Sequence, residues 1–480
     1  MRRGFGVAEV GAVSGGAGSG AGSAAAVSAG AAAAVALPGA AAAHGLEQRA
    51  DLPIPEWLFG WTAAAVLVVS FAAFAVLWPS PKLEGAAWRP LPGGTGRILA
   101  SRPVEIACGG IGVFLLGVVL WAGFSGKQNV AQNITPTFVY VVFWLGLVPA
   151  SILFGDVFRA FNPWRALGHS ARWVATRVAG GPVPALYPYP ERLGRWPAAA
   201  GLVAFAWLEL IALDGTEPRT LAAAALVYTL VTLFGMALFG ADAWIDRAEG
   251  FSVYFNLLSR LSPFEWRGDE VGRRRPLSGL TSLEPLGGTV AVVAVMIGTV
   301  TFDGASEGSL WQRIEPHLGP EVLAGTIGLA GAIVLVGGFY RLGILGAERV
   351  GTRVPGLASA FAHSLVPIAL AYVAAHYFTL LLYQSQAIAR LVSDPAGRGW
   401  NLFGTDDLGI DYGLLGAETT WYAQVAFVVA GHVLGLALAH DRALVLYERS
   451  RVAVRSQYWM LGVMVGFTSL ALWLLSQANA

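Results

Sequence analysis

Ten apolar runs, each about 17–30 residues long, decide what this chain can fold into. At about 1.5 Å per residue, a helix of that length crosses the hydrocarbon core of a bilayer. No water satisfies the backbone there, so each run must close its own hydrogen bonds as an α-helix. The runs are about Trp57–Trp78, Pro103–Phe124, Pro136–Phe154, Trp196–Leu213, Leu221–Phe239, Leu286–Phe302, Val322–Leu342, Pro355–Tyr383, Trp421–Ala439 and Tyr458–Leu475. With 55% of its 480 residues hydrophobic and 13% charged, the chain carries more apolar surface than a soluble core could cover. The fold class that follows is all-α: a polytopic membrane protein of about ten transmembrane helices, one domain over residues 44–480, with the lipid bilayer as its first partner.

Alternate loops differ sharply in charge. The segments 79–102, 157–195, 245–284, 346–354 and 441–455 hold about 22 Lys and Arg, and the others about 6. The positive-inside rule assigns the first set to the cytoplasm. The mature N-terminus, the loop 386–420 and the C-terminus then lie on the outer side of the plasma membrane. Residues 1–43 are rich in Gly, Ala and Ser, and Ala40-Ala41-Ala42-Ala43 offers a small-residue cleavage site, so a removable signal peptide is expected there. A net charge of +1 gives no reason to invoke nucleic acid, and the single Cys108 excludes disulfides and thiolate metal sites.

Two long cytoplasmic loops, 157–195 and 245–284, each open on a helix-like run in which aromatic residues alternate with arginines or acids. Such runs suit helices lying in the inner interface, with their charges among the headgroups. Phe154-Gly155-Asp156 before the first and Phe239-Gly240-Ala241-Asp242 before the second hint at an internal duplication. The outer loop 386–420 holds Asp394, Asp406, Asp407, Asp411 and Glu418; it reads as a solvated loop.

Four of the seven histidines, His363, His376, His432 and His440, fall in the eighth and ninth runs. Desolvating an ionisable ring is costly, so intramembrane histidines are functional candidates. Counted from the connecting loop, His376 and His432 reach similar depths, as do His363 and His440, which allows two cross-helix pairs. Imidazole binds zinc, copper and iron. Glu209, near the outer end of the fourth run, lies at a depth comparable with His376 and His432. Those three with an open position would form a hydrolytic metal site, Glu209 serving as catalytic base, with Tyr372 and Gln424 as supporting partners. Three other readings stand beside it: histidines as hydrogen-bonding glue between helices, a proton relay, or a haem held by one His pair. If the leader is removed, His44 becomes the N-terminus, whose α-amine and imidazole together chelate copper. No phosphate-binding loop, dinucleotide fingerprint, H-E-x-x-H or G-x-S-x-G is present.

Several runs resemble a family of largely actinobacterial membrane proteins labelled fenitrothion hydrolase: Ala43-His44-Gly45-Leu46, the stretch from Arg49 to Trp61, Phe161-Asn162-Pro163-Trp164-Arg165, and the stretch from Phe361 to Ala369. The resemblance covers nearly the whole chain after residue 43. It implies hydrolysis of a small apolar organophosphorus triester, a substrate that partitions into lipid. It supplies no catalytic residues. The alternative, in a different class, is a transporter or metal-handling permease in which the four histidines form a ladder of sites.

Overall fold

The apolar runs are helices. The computed structural model describes residues 56–85, 87–350 and 354–478, all within one unit, Leu37–Ala480; the leader and His44 lie outside the described residues. In chain order the helices are α1 (Glu56–Leu77), α2 (Arg102–Ser125), α3 (Ile134–Phe154), α4 (Val157–Phe161), α5 (Pro163–Val178), α6 (Trp196–Leu210), α7 (Pro218–Phe239) and α8 (Ala241–Arg247). There follow α9 (Gly250–Ser259), α10 (Thr289–Ser306), α11 (Ser309–Leu318), α12 (Glu321–Glu348), α13 (Leu357–His376), α14 (Ala417–Leu446) and α15 (Ser450–Ala478).

Eight of these, α1, α2, α3, α7, α10, α12, α13 and α14, are long and apolar enough to cross a membrane. The protein is therefore an all-α, multi-pass membrane protein. The two other expected spans are α6, only 15 residues long, and α15, 29 residues long. Burial picks out one helix as the axis: 78% of the α10 span is buried, against 17% for α1 and α12. Around α10 stand α6, α12, α13 and α15. Its Gly298 lets α12 approach closely, since a Cβ there would sit 2.7 Å from the Ile333 Cα.

The eighth expected span is broken. α13 carries a 3₁₀ turn, Ala362–Leu365, just before the Pro367 that lacks a backbone donor, and it ends at His376. A one-turn π-helix, Leu380–Gln384, and a short helix, Ala387–Leu391, continue it. The outer loop is stitched to the α2–α3 connection: Lys127 N donates to Ala396 O (2.9 Å), Ile134 N to Pro395 O (3.0 Å) and Arg390 to Ala131 O (2.6 Å).

The two long loops differ from each other. α5 keeps two faces, Trp164 and Gly168 buried and Trp173, Val174 and Val178 exposed, as an interface helix requires. α9 does not: Phe251, Val253, Tyr254, Phe255, Leu257 and Leu258 are all buried. It is enclosed by α3, α4, α6, α8 and α13, so the interfacial reading is corrected for this run. Its apolar side chains pack against these neighbours, and its small polar residues, Ser252, Asn256 and Ser259, share the remaining face.

The suspected duplication has a structural counterpart. Gly155 (φ 91°, ψ −154°) ends α3 and Gly240 (φ 88°, ψ 145°) ends α7, both in backbone regions that only glycine adopts readily. Each is followed by a short helix, and then by a second helix capped by a polar side chain, Asn162 for α5 and Glu249 for α9. The two motifs touch at their breaks. Asn162 Nδ2 donates to Ser252 Oγ (2.8 Å) and Glu249 Oε2 (3.3 Å), Asn256 Nδ2 donates to Asp156 Oδ2 (2.8 Å), and Arg159 pairs with Asp246. A small antiparallel sheet in the order β1–β3–β2, from β1 (Arg89–Pro90), β2 (Phe264–Arg267) and β3 (Glu270–Arg273), covers this junction; Trp266 lies against Gly155.

Candidate functional site: a buried acid–imidazole cluster

The chemistry gathers at the last turn of α10. Asp303, 6% exposed, receives two bonds on its Oδ2, from His376 Nε2 at the end of α13 (2.9 Å) and from the Tyr377 hydroxyl (2.7 Å). Gly304 packs against the imidazole; a Cβ there would lie 3.6 Å from it, in ordinary contact. Glu307 follows one turn beyond Asp303. Burial first, then the negative charge of Asp303, push its carboxyl up to about 7, with His376 opposing. Glu209, on the last turn of α6, belongs to the same electrostatic neighbourhood as Asp303, Tyr140, Tyr254 and Tyr377.

Three carboxyl groups and one imidazole thus share a low-dielectric region where uncompensated charge is costly. Three buried atoms of these residues, Glu209 Oε2, Tyr254 Oη and Glu307 Oε1, have no hydrogen-bond partner among the described residues. The cluster therefore has acceptor and donor capacity beyond its internal bonds, as a site that handles a proton or a polar solute needs.

Of the residues singled out in the sequence, His376 bonds Asp303 and Glu209 lies within electrostatic reach of it, while His432 stands elsewhere. Gln424 Nε2 donates to Ala375 O (2.9 Å), fixing α14 at Gln424 level with α13 at His376. His432 is eight residues further along α14, about 12 Å deeper. It bonds Val428 O on its own helix (2.8 Å) and lies beside Tyr372, ring centroids 6.2 Å apart. The depth match fails because α13 ends at His376 rather than Tyr383 and α14 begins at Ala417 rather than Trp421. Gln424 does stand beside His376, as a helix clamp.

At the other level, His363 bonds Ala360 O (3.0 Å) in the 3₁₀ turn and lies near Leu438 and Arg442 of α14. His440 instead bonds Trp78 O (3.0 Å) and stacks on Phe74 of α1, so the two engage different neighbours. Among the described residues no three His, Cys, Asp or Glu side chains converge to hold a metal ion. His432 therefore stands apart from His376 and Glu209.

Asp303 is the residue that sequence reasoning missed. The sixth apolar run was closed at Phe302, one residue short, because hydropathy falls at the acid itself. The available signal was Asp303 and Glu307 at helical spacing with no basic residue nearer than Arg313. Comparison of the chain with protein-family models, curated proteins and solved structures finds no match.

Proposed function

We propose that this multi-pass membrane protein is a proton-coupled carrier of a small solute, with Asp303 and His376 as the pair that takes up and releases the proton. The observation that carries the reading is the Asp303–His376 bond between the central helix α10 and the broken helix α13, with Glu209 and Glu307 beside it. Ionisable groups at this depth are costly to keep and mark ion and proton pathways. A bond joining a central helix to an interrupted one gives protonation a mechanical outlet, since losing it frees two elements to separate. The charge bias of the loops supports placing the arginine-rich end in the cytoplasm and the acid–imidazole end near the outer face of the plasma membrane.

A second reading keeps the hydrolase. Asp303 orients His376 as the carboxylate orients imidazole in a general-base pair, and an activated water would attack a lipid-soluble phosphotriester. The resemblance to the fenitrothion hydrolase family supports this reading.

Proteoliposomes enclosing a pH-sensitive dye separate the two. Under the carrier reading, a pH gradient moves solute and the interior pH changes with it. Both movements fall about 100-fold in Asp303→Asn and His376→Gln. Release of nitrophenolate from fenitrothion with no proton or solute crossing the bilayer would establish the hydrolase instead.

A further inference from the structure

A cavity of about 610 Å³ lies at the opposite end of the molecule's axis from the acid–imidazole cluster. Arg195 Nη1 bonds Thr289 Oγ1 (2.7 Å) at the start of α10, fourteen residues and about 21 Å along the helix from Asp303. Its walls come from α2, the α4–α5 and α8–α9 junctions, and the β2–β3 hairpin. Volumes of this size hold small organic ligands rather than a lone ion.

Six arginines line it. Three are neutralised: Arg159 pairs with Asp246, Arg165 with Glu105 (2.5 Å) and Arg274 with Glu265 (3.1 Å). Arg195, Arg247 and Arg260 form no ion pair among the described residues. Arg195, 5% exposed, donates only to Thr289 Oγ1 and, at 3.4 Å, to Glu284 O. Arg260 donates to Asn256 Oδ1 (3.2 Å), Gly279 O (3.2 Å) and Ser282 Oγ (3.4 Å), and Arg247 lies 5.8 Å from the Tyr189 ring. Burial first, then the nearby charges of Arg260 and Arg247, bring Arg195 down to about 10, with Glu284 and Asp246 opposing; burial also lowers Arg260, with Asp156, Glu265 and Glu284 opposing. A protein does not bury repelling guanidiniums against neutral partners without cost. An anion entering the cavity would remove that cost.

Two carboxylates complete the balance. Asp156, held by Asn256 Nδ2, opposes the charge of Arg260, and Glu284 opposes those of Arg195 and Arg260; among the described residues neither carboxylate closes an ion pair with the trio. Ser252, Asn256 and Ser259, all on α9, add neutral polar groups along one wall. Planar guanidiniums with neutral donors beside them match the several oxygens of a phosphate better than the two of a carboxylate.

We propose that this cavity binds a phosphate ester through Arg195, Arg247 and Arg260. The ester belongs either to a soluble phosphorylated metabolite or to the headgroup of an anionic phospholipid. The inference is independent of the carrier reading, because it uses none of the same side chains.

The test uses the full-length protein in two arms. In detergent, melting temperature is followed against glycerol 3-phosphate. In nanodiscs of phosphatidylcholine with and without phosphatidylglycerol, retained lipid is counted by native mass spectrometry. Saturable stabilisation by glycerol 3-phosphate assigns the soluble source; selective retention of phosphatidylglycerol assigns the lipid. In either arm Arg247→Gln and Arg195→Gln weaken binding about tenfold or more, and added salt weakens it further. Arg247 is half-buried, so its variant carries the test should Arg195→Gln fail to fold. Absence of binding in both arms, or binding undiminished in Arg247→Gln, overturns the proposal.

Discussion

At the scale of single residues, Glu307 reports on the cluster most directly. Its carboxyl is raised by burial and by Asp303, so its contribution to stability is complete below about 4.5 and is lost as pH rises through about 7. Glu307→Gln, which carries no charge at any pH, should flatten the melting temperature between pH 5 and 8 and raise it at pH 8; an unchanged pH profile would separate Glu307 from the cluster. Asp303→Asn keeps the shape and removes the charge. It should leave the protein folded while changing the activity profile with pH, because the carboxylate that faces His376 and Tyr377 becomes a neutral amide. His432 provides the control. Among the described residues it is bonded only to Val428 O and meets no charged partner, and His432→Gln should leave transport within about threefold of wild type, the range expected when one interhelical contact changes.

At the scale of elements, the contact between α13 and α14 depends on two glycines one turn apart. A Cβ on Gly431 would lie 2.6 Å from Pro367 O and also collide with Ala371, and one on Gly435 would lie 2.8 Å from Ser364 O. Gly431→Leu should therefore wedge the helices apart at a cost of about 1–3 kcal/mol or more, measurable as a lower melting temperature in detergent. Glu249 holds the other critical junction. It accepts from Phe251 N (2.9 Å) and Ser252 N (2.8 Å) at the start of α9 and from the Tyr228 hydroxyl, all in buried surroundings. Glu249→Ala strands those donors and should destabilise by about 3 kcal/mol, with Glu249→Gln recovering part of the loss. Much at this level was legible in the residues. Apolar length announced the spans, and the Phe-Gly-Asp echo announced two matching helix breaks. Interruptions inside an apolar run were only partly legible: Pro367 marks where this helix can kink, but nothing in Ala362 to Leu365 looks unlike helix, and the helix ends that decide which histidines are level depend on tertiary packing. The same limit hid the burial of α9. Its ten residues carry the aromatic side chains of an interface helix, and only the neighbours decide that they face protein.

At the scale of the whole molecule, α10 ties a cationic cavity at one end to an acidic, imidazole-bearing cluster at the other. The loop charges orient that axis. Cys108→Ala supplies a background without native thiols. In intact cells, a cysteine placed at exposed Asp407 should then react with an impermeant maleimide and one at exposed Arg172 should not; the reverse pattern would invert the assigned topology. The enclosure of α9 also has a consequence for how the protein is made. Ten residues are too few to cross the bilayer, so the insertion machinery has no reason to place α9 where it ends up. Part of its enclosure comes from α13, whose Val366 is synthesised roughly a hundred residues after Ser259, on the order of 5–20 s later at ordinary rates of translation. Until then an aromatic segment must wait without its final neighbours. The membrane stage of biogenesis therefore ends with a docking event, and the time before it is when this chain is most open to a chaperone or a protease.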